Sequence, residues 1–385
     1  MEYHTKISFF FLLLAFSSCL VISFTDQEGE IVLPSSTSML KMVVDDFPTW
    51  LSDVDKKLLL DSTSELKKNA DVIVAKDGTG KFKTVKEAVA AAPENSKTRY
   101  VIYVKLGIYD EVVNITKEKT NLTIVGDGRD STVLTGSLNA KDGYTTLASA
   151  TLAVDAIGFL AQDLCIRNTA GPAKGQAVAL RVSADLVVIH RCRIEAFQDT
   201  LYAYKYRQYY RECYITGTVD FICGDATAVF QYCQIEARNP HGGLVNVITA
   251  QSWNNMTEES TGFVIQKCNI TATQDLLPIK RKVKTYLGRP WGILSRVVIM
   301  ESFIDDLIAP EGYTPMNSSD VKRLSTLFYR EYKNTGPGAD TSKRVKWKGF
   351  KVITDPKEVE MFTVGEFIQG DLWINSTGVP YDVGL

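Results

Sequence analysis

The chain has 385 residues, with a hydrophobic content of 45%, a charged content of 23% and a net charge of -2. These values are typical of a folded protein, and the near-zero charge gives no bulk attraction to nucleic acid or to an anionic membrane surface. The length suits one large domain or two ordinary ones. Only three histidines are present, which is too few for a histidine-rich metal site and leaves few candidates for a Ser-His-Asp triad.

The N-terminal residues 1–24 are predicted to be a secretory signal, because Lys6 is followed by an almost wholly apolar run. A membrane anchor is the alternative, since the run approaches the length that spans a bilayer. We expect a short pro-segment or linker at 25–69 and the main domain at 70–385. Six Asn-X-Ser/Thr sequons are compatible with a secreted glycoprotein. They lie at Asn114, Asn121, Asn255, Asn269, Asn317 and Asn375.

The first ordered elements are a short strand at 72–75, a helix and a second strand at 100–104. Thr84 and Glu87 have the spacing of a capping box, which predicts that the helix begins there. Pro93 ends it. No second helical pattern of any length follows, so the sequence predicts one short N-terminal helix.

Beyond residue 111 the chain consists of short β-branched runs whose endings repeat. The first three steps between the repeats are 21, 20 and 35 residues. Strand repeats of this length predict a β-solenoid, and in a parallel β-helix each repeat is one coil, about 4.8 Å from the next. The repeated phrase occurs as Cys192-Arg193-Ile194, Cys213-Tyr214-Ile215, Cys233-Gln234-Ile235 and Cys268-Asn269-Ile270, with Ser302-Phe303-Ile304 and Leu164-Cys165-Ile166 close to it.

Several polar residues are in step with this repeat. Gln176 and Gln198 are 22 residues apart, and Asp199 and Asp220 are 21 apart, so each pair is separated by about one coil. We therefore expect all four on neighbouring coils of one face. The alternative is that they are turn residues that cap backbone groups. However, Asp220 lies in an apolar run, where an unpaired acid is costly.

A further candidate segment contains Arg289 and Trp291, separated by Pro290. Two acids, two amide side chains, a guanidinium and a large aromatic ring together predict a carbohydrate-ester site. Five motifs in this order resemble those of the plant pectin methylesterases, over about residues 70–373. The motifs are Gly107-Ile108-Tyr109-Asp110-Glu111, Gln176-Ala177-Val178-Ala179-Leu180-Arg181, Gln198-Asp199-Thr200-Leu201, Gly217-Thr218-Val219-Asp220-Phe221-Ile222 and Leu287-Gly288-Arg289-Pro290-Trp291.

The resemblance implies an all-β fold, a right-handed parallel β-helix, and a role for each site residue. Asp220 resembles the nucleophile that attacks the methyl-ester carbonyl, and Asp199 the acid that protonates the departing methanol. Gln176 resembles the donor to the oxyanion, with Gln198 nearby, and Arg289 the partner of the nucleophile. A guanidinium favours the ionised carboxylate that a nucleophile needs, whereas burial and a neighbouring negative charge raise the pKa of an acid such as Asp199.

The same resemblance makes Trp291 a ring against which the sugar packs. It implies methyl-esterified homogalacturonan (pectin) as the substrate, no metal or organic cofactor, and a monomer secreted to the cell wall. A proteinaceous pectinesterase inhibitor is a candidate partner, and no nucleic acid is expected. The segment before residue 70 resembles the family's tail between pro-region and enzyme. Its Lys56-Lys57 pair is either a processing site or a solvated helix face.

The chain departs from the family pattern at five positions, two of which are expected in the substrate groove. Cys223 replaces a phenylalanine, Tyr204 a histidine and Leu147 a phenylalanine. Tyr313 and Met316 replace two tryptophans that line the groove. These changes put affinity and subsite preference in doubt but leave the carboxylates intact.

Two other functions remain open on the sequence. A pectin-depolymerising β-helix enzyme, a glycosidase or a lyase, would also contain paired carboxylates. The chain lacks the Gly-His-Gly and Arg-Ile-Lys motifs of polygalacturonases. A pectin-binding wall protein with little or no activity is the second alternative, because the groove positions are altered.

Six cysteines follow Cys19 of the signal segment. Some members of the family pair cysteines at matching positions, which implies bridges Cys165–Cys192 and Cys233–Cys268, with Cys213 and Cys223 left as thiols. The alternative is that all six are buried thiols that fill the interior.

Overall fold

The computed structural model describes residues 65–256, 260–317 and 320–385, all within a unit that spans Ser62–Leu385. The expected signal segment, the Lys56-Lys57 pair and most of the expected linker lie outside the described residues. The domain boundaries of the sequence analysis therefore stay predictions.

The strands of the described residues form three parallel sheets of eleven, eight and seven strands, here called sheets 1, 2 and 3. From β4 onward the chain visits sheet 3, sheet 1 and sheet 2 in turn for most of its length, so neighbours within a sheet are one coil apart. This is a parallel β-helix, as the repeat predicted, and the strand predicted at 100–104 is β2, with the predicted bounds.

The strands are numbered in chain order. Sheet 1 contains β1 Val72–Val74, β2 Tyr100–Val104, β5 Leu122–Gly126, β8 Leu160–Gln162, β11 Val187–His190, β14 Arg207–Arg211, β17 Thr227–Gln231, β20 Gly262–Gln266, β23 Arg296–Met300, β25 Phe328–Tyr332 and β26 Phe350–Ile353. Sheet 2 contains β3 Gly107–Asp110, β6 Thr132–Gly136, β9 Cys165–Asn168, β12 Arg193–Glu195, β15 Tyr214–Gly217, β18 Gln234–Ala237, β21 Asn269–Ala272 and β24 Phe303–Ile304. Sheet 3 contains β4 Val113–Ile115, β7 Leu152–Val154, β10 Leu180–Val182, β13 Leu201–Ala203, β16 Ile222–Gly224, β19 Val245–Gln251 and β22 Lys284–Gly288.

The predicted helix is α1, Val85–Ala91. The Thr84 hydroxyl accepts a hydrogen bond from the Glu87 N–H at 3.2 Å, as a capping box requires. The first two N–H groups of α1 donate to the Glu111 carboxylate, both at 2.9 Å, so the first family motif supports the fold and not the site. Three further short helices follow α1 and were not predicted, because four to six residues show no clear period. They are α2 Val321–Thr326, α3 Lys357–Glu360 and α4 Val364–Phe367.

The core is the interior of the coil, where like residues stack in register. In sheet 2 the central isoleucines of successive strands pair directly, and all are fully buried. Each coil thus contributes one residue to the same row, which explains why the isoleucine of the repeated phrase is constant. The row is Ile166, Ile194, Ile215, Ile235, Ile270 and Ile304.

The predicted disulfide bridges are wrong in this structure, because all six described cysteines are free and buried. Cys165 pairs in register with Arg193, so it is offset by one residue from Cys192. Neighbouring positions on a strand point to opposite faces, which separates the two thiols. Cys233 and Cys268 are aligned, but each thiol donates to backbone carbonyls instead, and the Cys233 N–H donates to the Cys268 sulfur at 3.3 Å.

The close approach at Gly217 yields a first testable prediction. A Cβ there would lie 2.3 Å from the Phe221 Cβ and 2.8 Å from the Phe197 carbonyl oxygen. We expect Gly217→Ala to reduce the free energy of unfolding by about 1–3 kcal/mol, as overpacked cores do. Thermal unfolding of the variant measures this. Gly384→Ala is the control, because nothing lies within 4 Å of its added Cβ. Equal Tm values for the two variants would contradict the prediction.

Candidate active site

The two aspartates occupy the same place on neighbouring coils. Leu201 pairs with Ile222, so Asp199 and Asp220, each two residues earlier, are aligned at the start of β13 and β16. The Asp199 N–H donates to the Val219 carbonyl at 3.1 Å. Both aspartates have left-handed backbone, with φ of 58° and 53°. Aspartate and asparagine tolerate this region better than most residues, and such backbone often marks functional sites.

The two glutamines are also brought together as the coil step predicted. Gln176 and Gln198 form a parallel β-bridge, and the N–H of Ala177 donates to the Gln198 carbonyl at 3.2 Å. Both residues are half-buried. Their side-chain amides make no hydrogen bond to the described residues, so the N–H groups are available to a substrate oxygen.

Asp220 is held by three hydrogen bonds from residues that follow β22. The Arg289 Nε donates to Oδ1 at 2.7 Å, and Arg289 Nη2 donates to Oδ2. The Trp291 Nε1 also donates to Oδ2, at 2.9 Å. Asp220 is only 1% exposed, whereas Trp291 is 46% exposed and presents its ring to solvent. The predicted contact between Arg289 and Asp220 is present, and the Trp291 hydrogen bond was not foreseen.

Asp199 has a different environment from Asp220. It is buried, at 8% exposure, and has no ion pair or side-chain hydrogen bond with the described residues. Burial, with a smaller contribution from the charge of Asp220, raises the pKa of Asp199 well above its ordinary value, and Arg289 only partly opposes this. The site therefore combines a carboxylate paired with a guanidinium and a neighbouring carboxyl that favours its protonated form.

The outward side of sheet 3 contains two residues to which the sequence analysis gave no role, Arg181 and Tyr202, beside Cys223. Arg181, Tyr202 and Cys223 are paired in register on β10, β13 and β16. Arg181 makes a bidentate pair with Asp155, at 2.7 and 3.0 Å. The Tyr202 ring lies 5.0 Å from that of Tyr204. Successive side chains of a strand point to opposite faces. Because Leu201 and Ala203 are apolar and point into the core, Tyr202 between them could have been identified as outward-facing.

The positions that depart from the family pattern are not all in one place. Cys223 is on the outward side of sheet 3, and burial with the charges of Asp199 and Asp220 raises its pKa. Leu147 is exposed, and Met316 and Tyr204 are half-buried. The expectation that Tyr313 lines the groove is wrong. It is 1% exposed and packs against the rings of Tyr329 and Phe350, so it belongs to the core.

Two features are absent from the described residues, a metal-binding cluster and a membrane-spanning helix. No group of three or more His, Cys, Asp or Glu side chains there is arranged to hold a metal ion. In the same part of the chain, no helix has both the length and the apolar character needed to cross a membrane.

Comparisons with known proteins agree with this geometry. A family model described as pectinesterase matches residues 71–371. The chain is 60% identical over 354 residues to pectinesterase/pectinesterase inhibitor 18 of Arabidopsis thaliana, an alignment that covers 92% of this chain and 63% of the relative. The chain therefore spans less than two thirds of the length of that relative.

Solved structures give the same result. The pectin methylesterase from carrot is 52% identical, with a TM-score of 0.80, and the match covers 82% of this chain and 98% of that one. A pectin methylesterase in complex with a hexasaccharide is 28% identical, with a TM-score of 0.64, covering 78% of this chain and 97% of that one. These matches confirm the predicted right-handed parallel β-helix.

Proposed function

The chain belongs to the pectinesterase family, and we propose that it hydrolyses the C6 methyl esters of homogalacturonan, releasing methanol and demethylated pectin. The observation that supports this most is the contrast between the two aspartates. Asp220 is fixed by Arg289 and Trp291, and Asp199 beside it has a raised pKa. An ester hydrolase with a carboxylate nucleophile needs one ionised and one protonated acid.

The proposed reaction begins with attack of an Asp220 oxygen on the C6 carbonyl carbon. The carbonyl oxygen becomes an oxyanion, which the amide N–H groups of Gln176 and Gln198 stabilise without neutralising the nucleophile. The C6–O bond to the methoxy group then breaks, and the leaving oxygen takes the proton of Asp199, so methanol departs. The galacturonyl group is left as an anhydride with Asp220.

The second half returns both acids to their starting states. Asp199, now ionised, removes a proton from a water molecule, and the water oxygen attacks the C6 carbon of the anhydride. The bond to Asp220 breaks, which frees the galacturonate acid and the Asp220 carboxylate, while Asp199 keeps the proton. Arg289 stabilises the Asp220 charge at the start and end of the cycle, and the exposed Trp291 ring packs against the sugar.

Product analysis distinguishes this function from its alternatives. We expect the purified chain to release methanol from methyl-esterified pectin with no increase in reducing ends. A glycosidase or lyase would lower pectin viscosity and create new chain ends before methanol appears. A pectin-binding protein without activity would do neither, and either result would overturn the proposal.

We also propose that the protein acts outside the cell, in the wall, as a monomer. The apolar residues 7–24 and the six sequons support secretion. The name of the Arabidopsis relative joins a pectinesterase to a pectinesterase inhibitor, and a separate inhibitor protein is a candidate partner of this chain. Co-elution of the secreted protein with such an inhibitor on gel filtration tests both the oligomeric state and the partner.

The raised pKa of Asp199 yields a prediction about stability. The folded state holds the proton of this acid more tightly than the unfolded state does, so the stabilisation is complete below the ordinary value of 3.8 and is lost as pH rises through the folded pKa. We therefore expect Asp199→Asn to have a Tm near that of wild type at pH 4 and a higher Tm at pH 7. A gain of roughly 2–4 °C would correspond to about 1 kcal/mol.

The control for this measurement is Asp185→Asn, because that aspartate shifts in the opposite direction. Burial alone would raise the pKa of Asp185. The hydrogen bonds from Arg207 and the positive charge of Arg207 outweigh burial, so the pKa of Asp185 is lowered overall. Its asparagine variant should be less stable than wild type above the ordinary value of 3.8, where the stabilisation is present, and should approach wild type only as pH falls through the lowered folded pKa. A constant Tm difference for Asp199→Asn between pH 4 and pH 7 would contradict the prediction.

A further inference from the structure

Asn114 is the middle residue of β4, an edge strand of sheet 3. Its neighbours Val113 and Ile115 are fully buried in the core, so the alternation of the strand turns Asn114 outward, where it is exposed. It also begins the sequon Asn114-Ile115-Thr116. Cys223 on the outward side of sheet 3 is close enough to Asp199 and Asp220 to be affected by both charges, so the candidate active site borders this side.

The register connects Asn114 directly to that site. Asn114 pairs with Ala153, Ala153 with Arg181, and Arg181 with Tyr202. Tyr202 is on β13, the strand that follows Asp199. Three strand spacings separate Asn114 from Tyr202, which is roughly 14 Å along the coil axis. The site residues themselves lie at β10 and beyond, so Asn114 is at one end of the same row.

The other sequons are placed differently. Asn121 is half-buried in a left-handed turn. Its Nδ2, the atom to which a glycan would be bonded, donates to a backbone carbonyl at 2.8 Å. Asn269 is half-buried on sheet 2, and Asn375 is exposed in the C-terminal segment. The sequons of Asn255 and Asn317 extend into residues outside the described ones. In the described residues, Asn114 is the sequon asparagine on the outward side of sheet 3.

We propose that Asn114 is N-glycosylated and that its glycan limits how far a polysaccharide extends beyond the active site at the β4 end of sheet 3. In the modification an oligosaccharide is transferred from a lipid-linked diphosphate donor. The C1–O bond to the diphosphate breaks, a bond from C1 to the Asn114 Nδ2 forms, and the nitrogen loses one proton. A glycan is bulky and hydrated, so a long polymer must bend away from it or bind with fewer sugars past β7.

The effect on activity rests on the proposed function. A short methyl-esterified oligosaccharide that occupies only the coils of β10 to β22 does not reach Asn114, whereas a long pectin chain does. The glycan should therefore raise KM for long pectin and leave the reaction with short oligosaccharides unchanged.

Two substitutions at one position test the inference. Thr116→Ser keeps the sequon, and Thr116→Ala removes it without altering Asn114. Both are secreted from a plant or yeast host, and glycopeptide mass spectrometry reads the occupancy of Asn114. We expect a glycan on wild type and Thr116→Ser only, and a several-fold lower KM of Thr116→Ala for long pectin with an unchanged kcat/KM for a methyl-esterified tetragalacturonate.

Three results would overturn the inference. They are an unmodified Asn114 peptide in the secreted wild type, equal KM values of Thr116→Ser and Thr116→Ala for long pectin, and an equal change for both substrates. Failure of the proposed function is a separate outcome, because then no variant releases methanol while the glycopeptide still reports on Asn114.

Discussion

Asp220→Asn is expected to lower the rate of methanol release by roughly a thousandfold or more, as loss of a catalytic nucleophile does in other hydrolases. The amide oxygen of asparagine cannot form the anhydride that the mechanism requires. The fold should be retained, because asparagine tolerates the left-handed φ of 53° found at this position. Methanol release from methyl-esterified pectin, with circular dichroism and thermal unfolding of the variant, measures both effects.

The matched control for Asp220→Asn is Asp185→Asn. Asp185 precedes β11 and also accepts a bidentate pair of hydrogen bonds from an arginine, Arg207, at 3.0 and 2.7 Å. This variant loses a charge of the same kind, paired in the same geometry, outside the candidate site. It should retain most of the activity. If folded Asp220→Asn kept more than a tenth of the wild-type turnover, Asp220 would be a structural residue and the proposed mechanism would fail.

The repeat predicted which site residues meet because a solenoid converts sequence spacing into position. Once one coil is about 21 residues, Asp199 and Asp220 must be aligned, and Gln176 must lie beside Gln198, whatever the sequence between them. No tertiary information is needed for this step. The same argument placed the cysteines and isoleucines of the repeated phrase in rows.

The errors arose where a result depends on a single residue of register or on the direction of one side chain. Cys165 is offset by one position from Cys192, and in a strand that offset moves a side chain to the opposite face. Tyr313 was assigned to the groove from its sequence position, but its ring is directed into the core. The Trp291 N–H reaches Asp220 through a turn whose geometry no periodic pattern defines.

Arg289→Lys is expected to lower kcat/KM for methanol release by about a hundredfold, the cost that a misplaced catalytic group can have. Arginine donates to both oxygens of Asp220 from one planar edge, through Nε and Nη2. Lysine keeps the positive charge but is a point charge, so it cannot fix the plane of the carboxylate. Trp291 alone then orients the nucleophile, through one hydrogen bond to Oδ2.

The control for Arg289→Lys is Arg207→Lys, which breaks the bidentate pair with Asp185 in the same way but outside the site. In both variants the paired hydrogen bonds of a planar guanidinium are lost and the positive charge is kept, so a comparable change in Tm is expected. Only Arg289→Lys should lose activity, and the loss should appear mainly in kcat, because Arg289 holds the reacting carboxylate. Near-normal turnover in folded Arg289→Lys would show that the orientation of Asp220 does not depend on the guanidinium, and Trp291 and the left-handed turn would then be sufficient to position it.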